Sequence, residues 1–212
     1  MQTLIFANGD FCLFESLESL VLQVDLIIAA DGGAAHCENI GIVPHIVVGD
    51  CDSIGADLLE RYRQEDVKIF RHPIEKDATD LELALDLACE KGTCQVYLLG
   101  ALGGRWDMSL ANIMLAAQGK YREIDIFLVG DDCRMRILHP GRQHSVFNHD
   151  GATVSLLPLE GNTEGVTLIG FHYPLDDHTI RFGSSRGVSN LLAAERATIC
   201  HQKGVLLCIQ QA

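Results

Sequence analysis

Six short apolar runs constrain this chain more than any other feature. They are "TLIFA" (3–7), "DLIIAA" (25–30), "HIVVGD" (45–50), "VKIF" (67–70), "QVYLLG" (95–100) and "DIFLVG" (125–130). Rich in Val, Ile and Leu and without strict polar alternation, they suit strands covered on both faces. Between them, "FESLESLVLQ", "GADLLERYRQE", "TDLELALDLACEK" and "MSLANIMLAAQGKY" read as helices. The third sets Leu81, Leu85 and Ala88 on one face at a period of 3.6. Strand and helix in alternation imply a parallel sheet with right-handed crossovers, an α/β domain over residues 1–130.

After Gly130 the pattern changes. "RMRILHP", "HSVFN", "TVSLLPL", "GVTLIGF", "TIRF", "ERATICHQ" and "GVLLCIQ" read as short strands, with a hairpin turn at "HQKGV" and a short helix at "SNLLAA". Residues 131–212 are therefore expected to form a small β domain.

Composition narrows the function. The 212 residues are 48% hydrophobic and 21% charged, which suits a packed core rather than disorder. A formal net charge of -13 argues against general nucleic-acid binding, which needs a basic surface. It does not exclude ATP if a metal ion or a local basic residue offsets the phosphates, and it suits a cationic small substrate. No run approaches the length of a membrane span. The opening "MQTLIFANGDFCLF" lacks Lys and Arg and meets Asp10 early, so no signal peptide is expected. The eight Cys form no C-x-x-C pair and are expected to be reduced cytoplasmic thiols.

In an open parallel sheet, ligands bind at the carboxyl ends of the strands. Polar clusters fall there on four loops: Asp31, Gly32 and Gly33; Asp50 and Asp52; Asp77 and Asp80; Gly103, Gly104, Arg105 and Asp107. Each has a plain alternative. "DGG" suits a turn, Asp77 and Asp80 suit a helix cap and its first-turn acid, and "GGR" suits a flexible loop. The pair in "GDCDS" resists a plain account, because two adjacent carboxylates repel each other unless a cation lies between them. Hard oxygen donors point to Mg²⁺. Glycines allow backbone to approach phosphates, and Arg105 offers a fork for phosphate oxygens. Together these describe a Mg-nucleotide site without a P-loop or a G-x-G-x-x-G motif.

The ordered motifs "DGGA", "GDCDSI", "KDATDLELAL" and "LGGRWDMSLANI", followed by "GVTLIGFHYPL" and "RGVSN", resemble the thiamine pyrophosphokinase family. The resemblance implies a Rossmann-like α/β domain followed by an antiparallel β-sandwich. It also implies transfer of pyrophosphate from ATP to thiamine, giving thiamine diphosphate and AMP. On the same resemblance, Asp50, Asp52 and Asp80 are the Mg²⁺ ligands, with Asp77 beside them. Asp31, Gly32 and Gly33 line the cleft. Gly103, Gly104, Arg105 and Asp107 hold the nucleotide, with Asn112 on the following helix and Lys76 placed to touch a phosphate. Tyr173 takes the position of an aromatic residue that stacks on the thiamine ring, and Ser189 and Asn190 hydrogen-bond it. Met108 departs from the family, which often has a polar residue there. The resemblance further implies a cytoplasmic homodimer, each site built from the α/β domain of one chain and the β domain of its partner, with no nucleic-acid or membrane partner. The rival readings are a diphosphokinase acting on another heterocyclic alcohol such as a hydroxymethylpterin, a non-catalytic nucleotide sensor, and a Mg-dependent hydrolase or nucleotidyl transferase.

Overall fold

The computed structural model describes residues 1–211 apart from 12, 15, 76 and 149–151. It divides into two compact units, Met1–Ala116 with Glu123–Asp131, and Ala117–Arg122 with Asp132–Ala212.

The first unit runs β1 (Gln2–Phe6), α1 (Leu17–Gln23), β2 (Leu26–Ala30), α2 (Gly33–Asn39), β3 (Ile46–Gly49), α3 (Ala56–Gln64), β4 (Lys68–Arg71), α4 (Asp80–Glu90), β5 (Gln95–Leu99), α5 (Trp106–Ala116) and β6 (Asp125–Val129). The strands lie in the order β6-β5-β1-β2-β3-β4, and every pairing is parallel. The chain steps outward from β1 to β4, then returns to the other side of β1 for β5 and β6. The strand order thus reverses between β1 and β5, the kind of position at which ligands bind in open parallel sheets.

Both faces of the central strands β1, β2 and β3 are covered, which is why they read as unbroken apolar runs, whereas the edge strand β4 is mostly exposed. On one face Leu4, Phe6, Ile27, Ala29 and Val47 form a core with Leu17 of α1, Ala34 and Cys37 of α2, and Leu59 and Tyr62 of α3. Helix α4 buries Leu81, Ala84, Leu85 and Ala88 and packs against β1, β2 and β3. Each leucine buried in this way contributes roughly 1.5–3 kcal/mol.

Three features depart from the sequence reading of this unit. The turn at "DGG" opens α2, a helix the periodicity did not reveal. It has only seven residues and begins with glycine, so burial of Ala34 and Cys37 decides it rather than propensity. The N-cap of α4 is Thr79, whose hydroxyl accepts the Glu82 backbone N–H at 3.2 Å, and not Asp77. Helix α5 ends at Ala116, and "GKY" forms a separate 3₁₀ turn.

The second unit contains β7 (Cys133–Leu138), β8 (Gln143–Phe147), β9 (Thr153–Pro158), β10 (Thr163–Ile169), β11 (Leu175–Ile180), β12 (Asn190–Leu191), β13 (Arg196–Cys200) and β14 (Leu206–Gln211). They form two antiparallel layers, β12-β9-β14-β7 and β11-β10-β13-β8. Leu138, Val154, Leu156 and Leu206 of the first meet Val166, Leu168, Ala197 and Ile199 of the second in one core. The unit is a β-sandwich.

The hairpin expected at "HQKGV" is absent. β13 and β14 belong to different layers, so this turn carries the chain across the sandwich, with Gly204 at φ 84°. "SNLLAA" forms the short strand β12 instead of a helix, its residues Asn190 and Leu191 pairing with Val154 and Thr153. The strand read at "TIRF" lies earlier, as β11. Its residues Asp176, Asp177 and His178 mask it in an apolar search because it is an edge strand with little buried surface.

Three buried histidines, His139, His144 and His201, gather in this unit. The His144 and His201 rings stack at 6.2 Å, and their Nε2 atoms lie 3.1 Å from the carbonyls of His139 and Gly204. Burial, with the neighbouring His144 and His139, holds the His201 pKa down at about 4 against an ordinary 6.5. His201 is thus neutral in the fold, while the unfolded chain takes up its proton below pH 6.5. The unfolded state then binds more protons, so stability present above pH 6.5 is lost as pH falls toward 4. Urea melts at pH 7 and pH 5 are expected to show a lower midpoint at pH 5, and His201→Gln is expected to shrink that difference. An equal difference in the variant rules out His201 as the cause.

Candidate functional site

The carboxyl ends of β1 to β5 surround a cleft of about 490 Å³. On one side lie the loops after β2, β3 and β4. Asp31 follows β2 at φ 45° and its backbone N–H bonds the Val48 carbonyl at 2.8 Å, which ties the two loops together. Its Oδ2 accepts the Ser53 hydroxyl at 2.7 Å. Its Oδ1 is buried and has no hydrogen-bond partner among the described residues. After β3, Gly49 at φ 145° and Cys51 at φ 61° turn the backbone so that Asp50 and Asp52 fold back on each other. The Asp52 N–H donates to Asp50 Oδ1 at 3.0 Å.

Oxygens of Asp31, Asp50 and Asp52 lie within 4.8 Å of one another. Asp80, the first residue of α4, flanks them. A side-chain carbon added at Gly49 would stand 2.9 Å from Asp80 Oδ1 and 3.0 Å from Asp31 Cβ. The hydrogen bond from one carboxyl to the other, with the charge of Asp50, holds Asp52 above the usual carboxylate range. Converging acids, one with a buried oxygen lacking a donor, fit a hard divalent cation. The sequence reading assigned Asp31 to the cleft wall and Asp50, Asp52 and Asp80 to the metal. The geometry draws Asp31 into the acid cluster.

On the other side lie the loops after β1 and β5. The Gly9 N–H bonds the Gly100 carbonyl at 2.8 Å, which joins the two across the reversal of strand order. Gly103 and Gly104, at φ 94° and 60°, adopt a backbone conformation that L residues rarely take. Helix α5 pins this loop. Ser109 Oγ accepts the Gly103 N–H at 3.1 Å, and the buried Asn112 amide donates to the Ala101 carbonyl at 2.8 Å. The exposed Arg105 grips Asp107, with Nη2 2.5 Å from Oδ2, and this holds the Asp107 carboxyl below its usual range.

Of the residues singled out in sequence, Asp31, Asp50, Asp80, Gly103, Gly104, Arg105 and Asn112 line the cleft, as does Met108. Gly32, Gly33, Asp52, Asp77 and Asp107 do not. The two glycines instead allow close packing. A carbon on Gly32 would meet the Asn8 side chain, and one on Gly33 the Phe6 carbonyl, each at 2.0 Å. Asp77 is exposed. Lys76 lies outside the described residues. The sequence reading missed Asn8, Gly9 and Asp10, which line the cleft after β1. "ANGD" directly follows an apolar run, the same signal that marked the other loops.

In the sandwich unit, Tyr173, Ser189 and Asn190 form a second cluster. Asn190 Oδ1 accepts the Tyr173 N–H at 3.0 Å and its Nδ2 donates to the Tyr173 carbonyl at 2.8 Å. The Asn190 amide thus clamps the Tyr173 backbone, and its Oδ1 also accepts the Leu191 N–H. Ser189 sits at φ 58° and its N–H donates to Ser155 Oγ at 3.0 Å. The Tyr173 ring meets His172 edge-on at 4.8 Å and is 62% exposed, so its face is open to a ligand.

Hard oxygen donors facing glycine backbone at the switch point of a parallel sheet mark the class of proteins that bind a phosphorylated ligand together with a divalent cation. Comparison with known proteins narrows the class. Residues 17–128 match the family described as thiamin pyrophosphokinase, catalytic domain, and residues 141–206 match its vitamin B1 binding domain. A thiamine pyrophosphokinase of Bacillus subtilis (strain 168) is 33% identical over 99% of both chains. The crystal structure of thiamine pyrophosphokinase from Bacillus subtilis superposes with a TM-score of 0.89 at 31% identity, covering 100% of this chain and 99% of that one. That of Geobacillus thermodenitrificans gives 0.84 at 28% identity, covering 100% and 98%. The chain belongs to the thiamin pyrophosphokinase family.

Proposed function

We propose that this enzyme transfers the pyrophosphoryl group of ATP to the hydroxyethyl oxygen of thiamine. The thiamine oxygen bonds to the β-phosphorus and the bond from that phosphorus to the bridging oxygen breaks. AMP leaves with the bridging oxygen, and the hydroxyl proton is released. The observation that carries this reading is the acid cluster facing the glycine loop of Gly103 and Gly104 at one switch point, in a chain matched in both halves to the family's two domains.

Asp50 and Asp52, with Asp31 and Asp80 beside them, would hold Mg²⁺. When bound, Mg²⁺ neutralises phosphate oxygens and so favours attack by a neutral alcohol. The remaining work falls to the chain's own groups. Gly103 and Gly104 would let backbone approach the nucleotide, and Arg105 can exchange Asp107 for a phosphate oxygen. We assign ATP and the metal to residues 1–130, and thiamine and dimer contacts to residues 131–212. The Tyr173 face, held by the Asn190 clamp, would stack on the thiamine ring, and a thiazolium cation is attracted to an aromatic face. Among the described residues no helix is long and apolar enough to cross a membrane, and the compartment we propose is the cytoplasm. The direct test is product analysis. AMP release from ATP that depends on thiamine supports this reading; pyrophosphorylation of a hydroxymethylpterin, or release of ADP, overturns it.

The proposed enzyme is a homodimer in which the α/β domain of one protomer works with the β domain of its partner. Two inactive variants test this. In a mixture of Asp52→Asn and Tyr173→Asp, each heterodimer would carry both lesions in one site and leave the other native. Activity is expected to return to about a quarter of the parent level on random exchange of two-fold symmetric dimers. Confirmed exchange without any recovery points to sites built within single chains.

A further inference from the structure

The loop after β1 carries a carboxylate that the proposed reaction does not use. Asp10 lines the cleft on the side of the β1 and β5 loops. Among the described residues it has no hydrogen-bond or ion-pair partner. The backbone beside it is anchored. The neighbouring Gly9 is bonded to Gly100, and a carbon added at Gly103 or Gly104 would stand 3.1 or 3.0 Å from Asp10 Oδ2. The glycine loop therefore lies against one side of this exposed carboxylate, and Arg105, next to Gly104 in the chain, is engaged by Asp107.

An ionised carboxylate only accepts hydrogen bonds and repels phosphate. The acid cluster of Asp31, Asp50 and Asp52, with a cation, would draw the triphosphate toward the β2 and β3 loops. The part of a nucleotide left beside Asp10 must then be neutral and rich in donors. We propose that Asp10 is a specificity residue that accepts hydrogen bonds from the nucleotide's ribose hydroxyls, and so selects a ribonucleotide as pyrophosphoryl donor. This rests on the ATP-dependent reading given above.

The test compares ATP with 2′-deoxy-ATP, 3′-deoxy-ATP and inosine triphosphate, which lacks the adenine amino group, in the parent, Asp10→Ala and Asp10→Asn. The parent is expected to favour ATP over at least one deoxynucleotide by about tenfold in kcat/KM, the scale of one charge-assisted hydrogen bond. Asp10→Ala is expected to reduce that preference to about twofold, with Asp10→Asn intermediate because its amide oxygen still accepts. The KM for ATP should rise while that for the deoxynucleotide changes little. A parent with no preference overturns the proposal, as does a preference kept in both variants. A change confined to inosine triphosphate assigns Asp10 to the base and also overturns it. Calorimetric binding of the same nucleotides with Mg²⁺ gives a second readout. If the parent makes no AMP from ATP and thiamine, the proposed reaction fails, while the binding comparison still decides the role of Asp10.

Discussion

Asp52→Asn is expected to cut turnover by about a hundredfold or more, on the scale of losing a preorganised electrostatic contact, without lowering stability. The two halves of that expectation have separate causes. Asp52 is exposed and buries no core surface, so the fold does not need it. It also stands against the charge of Asp50, so removing one charge relieves repulsion in the absence of a cation. Its loss matters only when a cation is to be held. Thermal melts make the distinction. Mg²⁺ should raise the melting temperature of the parent because it binds the folded state, and should raise that of the variant much less. A variant that turns over within about threefold of the parent and gains as much from Mg²⁺ removes Asp52 from the site.

Gly33→Ala is expected to be the most damaging single methyl in the α/β unit. The added carbon would lie 2.0 Å from the Phe6 carbonyl oxygen and 2.6 Å from its carbon. Both atoms are backbone in a central, fully buried strand, so neither a rotamer change nor a side-chain shift can relieve the clash. Overpacking of this kind costs about 3 kcal/mol or more, which for a chain of this size lowers the melting temperature by roughly 10 °C. Gly119→Ala is the control, since nothing lies within 4 Å of a carbon placed there. It should melt within about 2 °C of the parent, a surface-substitution effect. If Gly33→Ala melts as high as the control, α2 does not start against β1 as described.

The parts of the fold legible in sequence were those that bury a repeating pattern. All six strands β1 to β6 were read as apolar runs, β1, β2 and β3 because both faces are covered, and α4 was read because Leu81, Leu85 and Ala88 keep a 3.6-residue period. What stayed hidden was decided by tertiary contact. Helix α2 forms because Ala34 and Cys37 find a core. Strand β11 is polar because it is an edge. The "HQKGV" turn looks local but joins two layers, and no short-range signal separates a hairpin from a crossover. The site was legible to a similar degree. Loops after strands could be read as ligand-facing, which grouped Asp31, Asp50, Asp80 and the Gly103–Arg105 loop. The inclusion of Asp31 among the converging acids could not be read, because it depends on a backbone bond from Asp31 to Val48. Nor could the roles of Asn112 and Asn190 as clamps on backbone, since a polar side chain near a site reads the same whether it faces a ligand or its own chain.

The place of β14 in the sandwich has a consequence for how the protein is made. It is the last strand in chain order, yet it lies inside its layer, bonded to β7 on one side and β9 on the other. Until residues 206–211 have been synthesised, β7 and β9 have no strand to join them, and the apolar faces of the sandwich have no complete layer to close on. The α/β unit has all six of its strands by Val129. During translation, at about 5–20 residues per second, the first unit can therefore settle while the second is still waiting for its keystone. A nascent chain stalled before residue 206 should resist protease over its first 130 residues and be cut freely beyond them.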